Sequence, residues 1–286
     1  VYPTHVSGSL CGGNIGSRLS TTIGYERKMN KLLASISDEK EFVEDCLDLQ
    51  NLPAVPPYWK RMRKQNEEGP ALVGVLREPP ALQVPDFEKK MKSGAAALDC
   101  RSPEAFGGSH IPGSLNVGLG TSFPTWAGTV LPPDTPYVLI LENAEELWEV
   151  CWHLLRIGYD LPDGWLAGGM MAWRTAAKPL QTLPQWTVRD LRKRIESDGD
   201  DLLVLDVRQP QEWAEGHIEN ARHITGAELP ERFVELPETK NIAVICGSGY
   251  RSSVAASLLQ TKGYKNVASI IGGMGAWKKA DFPQQK

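Results

Sequence analysis

The sequence predicts an α/β fold in which two consecutive domains each contain a parallel sheet flanked by helices. The first observation is a set of short apolar runs, such as DLLVLDV at 201–207 and IAVIC at 242–246, which are typical of strands buried on both faces. The second is that segments with a helical spacing of apolar residues follow such runs, as at 253–262. The third is that the whole arrangement occurs twice along the chain.

The repeat is visible in two pairs of aligned segments. LDCRSPEAFGGSHIPGSLNV at 98–117 aligns with LDVRQPQEWAEGHIENARHI at 205–224, and the same spacing separates aspartate from histidine in both. Further along, LAGGMMAWRTAAKPL at 166–180 aligns with IIGGMGAWKKADFPQ at 270–284. Because order and spacing persist through the unit, we interpret the two copies as domains of one fold.

Individual positions support this element order. Thr187, followed by Asp190, is a typical helix N-cap, and Gly263 suits the position just after a helix. Trp173 and Trp277 occupy matching places and are predicted to lie in the two cores.

Proline-rich stretches at 77–85 and 179–185 are natural domain boundaries. They predict a preceding segment at 1–72, a first domain at 73–178 and a second domain at 183–286.

Composition narrows the classes of partner. The chain is 41% apolar and 23% charged with a net charge of −4, which gives no reason to expect nucleic acid or an anionic membrane as partner. No apolar run approaches the roughly 20 residues that cross a bilayer. Five cysteines without regular spacing argue against a disulfide framework and favour a reducing compartment, so we expect a cytoplasmic protein.

The most informative motif is Cys246 and the residues after it. The cysteine ends an apolar run, and in a parallel sheet ligands bind beyond the carboxyl ends of the strands. The glycines that follow let the backbone turn so that N–H groups converge on one point, and the next helix begins directly behind them. Both features favour a thiolate. The residues predicted to bind substrate or a persulfide are Gly247, Ser248, Gly249, Tyr250 and Arg251.

This arrangement suits sulfur transfer. The Cys246 thiolate would attack the outer sulfur of a donor, become a persulfide, and pass that sulfur to an acceptor without a histidine base. Three alternatives remain open: an inert core cysteine, a scaffold that only presents a binding surface, and a cysteine phosphatase. A phosphatase also holds an anion between a cysteine and an arginine, but the extra oxygens of phosphate suit a loop one residue longer.

Both copies resemble rhodanese domains. The second carries LDVR, GHI, CGSGYRS and GGMGAW in the order of that family. The resemblance implies that Cys246 carries the sulfur, that residues 247–251 cradle it, and that no cofactor takes part in this chemistry. It also implies thiosulfate or a low-molecular-weight persulfide as donor and a thiol such as glutathione as acceptor. It leaves a homo-oligomer open.

The first copy lacks this machinery. Leu141 stands where Cys246 stands in the second copy, and Glu142, Glu145 and Glu146 occupy the loop, where their charges would repel a persulfide. We therefore expect an inactive domain that acts as a spacer or docking module.

One charged pair recurs in both copies, and we interpret it as structural. Asp206 and Arg208 of the second copy correspond to Asp99 and Arg101 of the first, which keeps the pair without the nucleophile. Buried charges generally need such partners.

The first 33 residues resemble the end of a metallo-β-lactamase-fold domain of the persulfide dioxygenase and glyoxalase II branch. The resemblance is carried by PTH, ending at His5, and by STTIGYER at 20–27, which is expected to form a helix. It implies that His5 lies at or near an iron or zinc site whose other ligands are missing, because the chain contains no H-x-H motif. We therefore expect the rest of that domain to precede Val1, in a persulfide dioxygenase–rhodanese fusion of sulfide metabolism.

Overall fold

The computed structural model describes residues 1–2, 18–30, 33, 37–47, 58–69, 74, 76–197 and 199–286. The chain forms two compact units, Val1–Ala54 and Val55–Lys286. The described part of the first unit contains helices α1 (Ile23–Met29) and α2 (Glu39–Leu47). The side-chain oxygen of Thr22 begins α1 by accepting a hydrogen bond from the Tyr25 amide at 3.1 Å. A helix is therefore present within STTIGYER, as expected.

Helix α3 (Trp59–Glu68) belongs to the second unit and packs on the first copy. The Arg61 guanidinium lies 4.8 Å from the centroid of the Tyr159 ring. The Tyr58 ring lies so close to Gly128 that a Cβ there would be 2.3 Å from it. The predicted boundary at residue 72 thus falls after a helix that already contacts the first domain.

The first copy is built on a five-stranded parallel sheet with the strand order β1-β5-β4-β2-β3. Its strands are β1 (Ala81–Leu82), β2 (Ala96–Asp99), β3 (Leu115–Asn116), β4 (Tyr137–Ile140) and β5 (Trp165–Leu166). Its helices are α4 (Val84–Lys92), α5 (Pro103–Gly108), α6 (Phe123–Val130), α7 (Leu147–Arg156) and α8 (Gly169–Thr175).

The second copy repeats this topology, with the strand order β6-β10-β9-β7-β8 in another five-stranded parallel sheet. Its strands are β6 (Gln185–Trp186), β7 (Leu202–Asp206), β8 (Arg222–His223), β9 (Asn241–Ile245) and β10 (Val267–Ile270). Its helices are α9 (Val188–Ser197), α10 (Pro210–Glu215), α11 (Leu229–Arg232), α12 (Tyr250–Thr261) and α13 (Gly273–Lys279). The predicted fold class, two parallel sheets flanked by helices, is confirmed.

The strand register confirms how the two copies align. Asp99 pairs with Ile140 in the first sheet, and Asp206 pairs with Ile245 in the second. The residue directly after the central strand is therefore Leu141 in the first copy and Cys246 in the second, as the sequence alignment predicted.

Buried apolar side chains form one cluster that spans both copies, with Leu139 of the first and Leu258 of the second among its members. Each copy adds a cluster of its own, which contains Trp173 in the first and Trp277 in the second. Both indole N–H groups donate to a proline carbonyl at 2.9 Å, so the predicted core tryptophans are buried with their one donor satisfied.

Helix α12, which follows the cysteine loop, lies between the two copies. It contacts β9 and β10 of its own domain and β3 and α6 of the first copy. Every residue from 252 to 259 is buried, as expected of a helix covered on all sides. In the part of the chain that the structure describes, no helix is long and apolar enough to cross a membrane.

Asn116 on β3 forms a buried polar link between the copies. Its side-chain oxygen accepts a hydrogen bond from Ser253 Oγ at 2.7 Å, and its backbone N–H donates to Ser257 Oγ at 2.9 Å. Its Nδ2 donates to the carbonyls of Asp99 (3.2 Å) and Arg101 (3.0 Å). Asn116 is fully buried, so these contacts satisfy groups that have no access to water.

Substituting Asn116→Ala should lower the free energy of unfolding by about 1–3 kcal/mol, because the Ser253 hydroxyl and two carbonyls lose their partner. Urea or thermal unfolding of the whole chain measures this loss. Asn143→Ala is the matched control, because Asn143 is exposed and its side-chain amide donates to the half-buried Glu146; its effect should stay below about 0.5 kcal/mol. Equal effects of the two substitutions would contradict the proposed link.

Candidate active site

Cys246 lies directly after β9, and α12 begins four residues later at Tyr250. Between them, Ser248 is exposed and Gly249 has a φ of +117°, a conformation that favours glycine. The structure thus places the cysteine where the sequence predicted it, at the carboxyl end of a central strand and in front of a helix.

The Cys246 sulfur contacts one loop amide and one hydroxyl. The Gly249 N–H donates to Sγ at 3.1 Å, and Ser252 Oγ lies 3.7 Å from Sγ. Ser252 Oγ donates to the Gly249 carbonyl at 2.9 Å, while Ser269 Oγ donates to Ser252 Oγ at the same distance. Of the ring of amides that was expected around the sulfur, one donates to it, the Gly249 amide. The buried serines Ser252 and Ser269, which the sequence did not indicate as site residues, complete its surroundings.

The N-terminus of α13 holds the loop from behind. The Met274 amide donates to the Cys246 carbonyl at 2.7 Å, and the Gly275 amide donates to the Gly247 carbonyl at 2.9 Å. Gly273 has a φ of +51°, and a Cβ on it would lie 2.3 Å from the Cys246 carbonyl oxygen. The glycines of GGMGAW thus allow a helix terminus to bind the loop carbonyls, which keeps those oxygens away from the sulfur.

Arg251 is paired with a carboxylate that the sequence analysis missed. Its Nη1 and Nη2 donate to the two oxygens of Glu212 at 2.6 and 2.7 Å, a bidentate ion pair. Burial alone would raise the pKa of Glu212, but the hydrogen bonds and charge of Arg251, together with the Gln209 amide and the charge of Arg208, hold that pKa below its ordinary value. Arg251 therefore stands at the end of the loop, as the sequence places it, with its charge balanced by Glu212.

The difference between the two copies indicates that Glu212 belongs with the site. The first copy has Ala105 at the position of Glu212 and Glu146 at the position of Arg251. Both members of the pair are thus absent together from the copy that lacks the cysteine.

The Cys246 side chain has no exposed surface. Next to it, a cavity of about 250 Å³ opens between the two copies. Its lining residues are Pro103, Glu104, Gln185, Ser248, Gly249, Tyr250, Ser269 and Ile271. This volume lies below the roughly 300–1,000 Å³ of drug-sized pockets, so the cavity suits a small molecule.

Tyr250 connects the loop to the first copy. Its hydroxyl donates to the Gly118 carbonyl at 2.7 Å, and burial raises the pKa of this phenol. Tyr250 therefore stays protonated and acts as a fixed donor between the domains, in addition to lining the cavity.

Asp206 and Arg208 form a buried ion pair with distances of 2.7 to 3.0 Å, and the guanidinium also donates to the carbonyls of Glu212 and Gly216. Arg101 repeats the pattern in the first copy with Asp99 and the Ser109 carbonyl. The ion pair and the bond to the carbonyl at the end of the following helix are present with and without a cysteine, which favours the structural role predicted for the pair; the bond to the Glu212 carbonyl is made by Arg208.

The loop after Leu141 in the first copy differs from the Cys246 loop in its charge and in how closely the following helix packs against it. Glu142 and Glu145 are exposed, and α7 begins only at Leu147, after a short 3₁₀ turn. A Cβ on Gly169 would lie 3.3 Å from the Leu141 carbonyl, compared with 2.3 Å at the matching place in the second copy. The helix behind this loop is thus less closely packed against it.

The other buried cysteines are poor nucleophiles. Burial raises the pKa of Cys100 well above its ordinary value and that of Cys151 to about 11. Both thiols therefore stay protonated and belong to the core.

His5, the predicted metal-site histidine, lies outside the described residues. Within the described ranges, no group of three or more His, Cys, Asp or Glu side chains could hold a metal ion.

The fold and the site together define a duplicated α/β domain in which one copy has a cysteine just before the N-terminus of a helix. The chain belongs to the family of proteins with rhodanese-like domains, whose model matches residues 83–176 and 187–280. This confirms the resemblance on which both domains were assigned.

Three relatives show the same similarity over one domain each. YtwF of Bacillus subtilis, named as a sulfurtransferase, is 38% identical over 94 residues, which cover 33% of this chain and 89% of that protein. The thiosulfate sulfurtransferase GlpE of Coxiella burnetii is 37% identical over 78 residues, 27% of this chain and 73% of that protein. YrkF of Bacillus subtilis, named as a sulfur carrier protein, is 34% identical over 96 residues, 34% of this chain and about half (51%) of that protein.

Substituting Gly273→Ala should displace the Cys246 carbonyl and loosen the loop, whereas Gly169→Ala at the matching place should be milder. Both residues have positive φ, so both variants share that backbone strain, and only Gly273→Ala adds a severe contact. We expect the free energy of unfolding to fall by at least about 2 kcal/mol more for Gly273→Ala than for Gly169→Ala. Similar losses in thermal unfolding would show that α13 does not hold the loop.

Proposed function

We propose that this chain is a sulfurtransferase in which Cys246 carries sulfur as a persulfide. The Cys246 thiolate attacks the outer sulfur of the donor, and the bond between that sulfur and the rest of the donor breaks. When the donor is thiosulfate, the leaving group is sulfite. When the donor is an alkyl persulfide, the leaving group is a thiolate. An acceptor thiolate next attacks the outer sulfur and restores the Cys246 thiolate.

The observation that carries this proposal is the Gly249 N–H bond to the Cys246 sulfur, 3.1 Å long, at the start of a helix. An amide donor and a helix N-terminus both stabilise negative charge on sulfur. The two carbonyls of the same loop point instead to the amides of α13, so they do not repel that charge.

Access to the sulfur runs through the cavity. Ser269 lines the cavity and donates a hydrogen bond to Ser252, which in turn contacts the sulfur. These two serines therefore connect the cavity with the Cys246 sulfur. Because Cys246 is covered, its sulfur must become exposed before a donor can reach it.

Small donors and thiol acceptors fit this cavity. We include thiosulfate and low-molecular-weight persulfides as donors and glutathione as an acceptor. Support comes from the cavity volume of about 250 Å³ and from relatives named as sulfurtransferase or thiosulfate sulfurtransferase.

The complete burial of Cys246 favours one alternative, a scaffold without catalysis that only presents a binding surface. A cysteine phosphatase is a weaker alternative, because the loop arginine is already bound to Glu212 and is not free to bind phosphate.

We further propose that the chain is part of a cytoplasmic persulfide dioxygenase–rhodanese fusion. Support comes from the PTH and STTIGYER motifs and from α1, which begins within the second motif and continues to Met29. An iron or zinc centre is expected in the preceding domain, and with iron bound it would support the oxidation of a persulfide to sulfite by dioxygen. Tethering would bring the two activities to a high effective concentration. His5 remains the predicted contribution of this chain to that region.

Incubation with thiosulfate or glutathione persulfide should add one sulfur, about 32 Da by intact mass, and peptide mapping should locate it on Cys246. Cys246→Ser should abolish this addition and sulfur transfer, whereas Cys151→Ser should retain both. An unmodified mass with every donor would favour the scaffold, and activity of the Cys246→Ser variant would assign the chemistry elsewhere.

The coding sequence upstream of Val1 should encode, in frame, an H-x-H-x-D-H motif, because a metal site of this type needs several convergent ligands. Sequencing the gene tests this. An upstream region without the motif would contradict the fusion and leave the sulfurtransferase proposal unaffected.

A further inference from the structure

The charged side chains near Cys246 bear on which sulfur donors this site can accept. Two observations contribute, one from the loop and one from the cavity, and they involve different domains.

The first observation is that the positive charge of Arg251 is neutralised by Glu212. The Arg251 guanidinium lies over Gly247, where a Cβ would be 2.8 Å from Nη2, so it brings a positive charge close to the loop backbone. Both of its terminal nitrogens bind Glu212. The side chains are 22% and 34% exposed, so the pair is partly shielded from water and its net charge is zero.

The second observation is that the cavity is acidic. Among its lining residues Glu104 is the one that carries a charge, and it comes from the first copy. It is an exposed residue on the first turn of α5 and lines the same cavity as the loop residues Ser248 and Gly249. A donor that enters between the domains therefore meets a carboxylate and no compensating cation among these residues.

Thiosulfate is a dianion whose leaving group, sulfite, is also a dianion. An alkyl persulfide can instead have a neutral or cationic group next to its sulfur. Like charges that face each other across an interface disfavour binding, and opposite charges favour it.

We infer that the site takes low-molecular-weight alkyl persulfides with a neutral or cationic group near the sulfur, and that Glu212 and Glu104 discriminate against dianionic donors such as thiosulfate. The inference rests on the proposed persulfide chemistry at Cys246. In the transfer, the Cys246 thiolate attacks the outer sulfur of R–S–SH, the S–S bond of the donor breaks with its electron pair, and RS⁻ leaves while Cys246–S–SH forms.

The test compares donors of one chemistry that differ in charge: the persulfides of cysteamine (cationic), mercaptoethanol (neutral) and mercaptopropionate (anionic), together with thiosulfate. The kcat/KM for sulfur transfer to a common thiol acceptor should fall in that order for the unmodified chain. The cationic persulfide should exceed the anionic one by about tenfold, as expected for opposite charge effects in a partly shielded site.

Glu212→Gln and Glu104→Gln should each reduce this ratio by about threefold or more and raise the relative kcat/KM for thiosulfate. Glu215→Gln is the matched control. It lies on α10 like Glu212 but is 71% exposed and faces Lys278 at 3.9 Å, so it changes the net charge equally and should leave the ratio unchanged. Loss of folding alone would lower all donors together and would not change their ratio.

The outcomes separate the two proposals. If no donor loads Cys246, the proposed function fails. If all donors load it but the ratio is close to one, or is the same in Glu212→Gln and Glu104→Gln as in the unmodified chain, the function stands and the charge selectivity is wrong.

Discussion

The site depends on two hydrogen bonds, from the Met274 and Gly275 amides to the carbonyls of Cys246 and Gly247. Every peptide unit in a tight loop has an N–H and a C=O that point in roughly opposite directions, so fixing the carbonyls on one side directs the amides to the other. The helix terminus of α13 supplies donors that would otherwise lack partners. These two bonds thus hold the peptide units that carry the Gly247 and Ser248 amides, and the amide that donates to the sulfur is the next one along, that of Gly249.

The first copy contributes to the site without a nucleophile of its own. Through Asn116 it holds α12, and through the Gly118 carbonyl it holds Tyr250 at the start of that helix. It also supplies Glu104 and Pro103 to the cavity. Because the helix behind the cysteine is buried between both domains, the second domain alone would expose apolar surface and lose one wall of the cavity. This explains physically why a domain without the cysteine remains attached.

Features encoded in local sequence were predictable. Uninterrupted apolar runs and the internal repeat indicated two parallel sheets, and the glycines after Cys246 indicated a turn into a helix. Contacts between distant residues were not predictable in this way. The Arg251–Glu212 pair joins two helices of the second domain, and the burial of Cys246 depends on how the loop closes over it. The partnership of Asn116 with Ser253 requires knowing that one domain packs against the other. The structure of the residues around His5 is outside the described part of the chain, so its role remains a prediction.

The most direct measurement is a crystal structure of the protein after it has been loaded with a sulfur donor. The account predicts additional density for one sulfur atom bonded to Cys246 Sγ, with the Gly249 amide within hydrogen-bonding distance of the added sulfur or of Sγ and the α13 amides still bound to the loop carbonyls. A loaded protein with its extra sulfur on another residue, or with the loop amides turned away from it, would contradict the account.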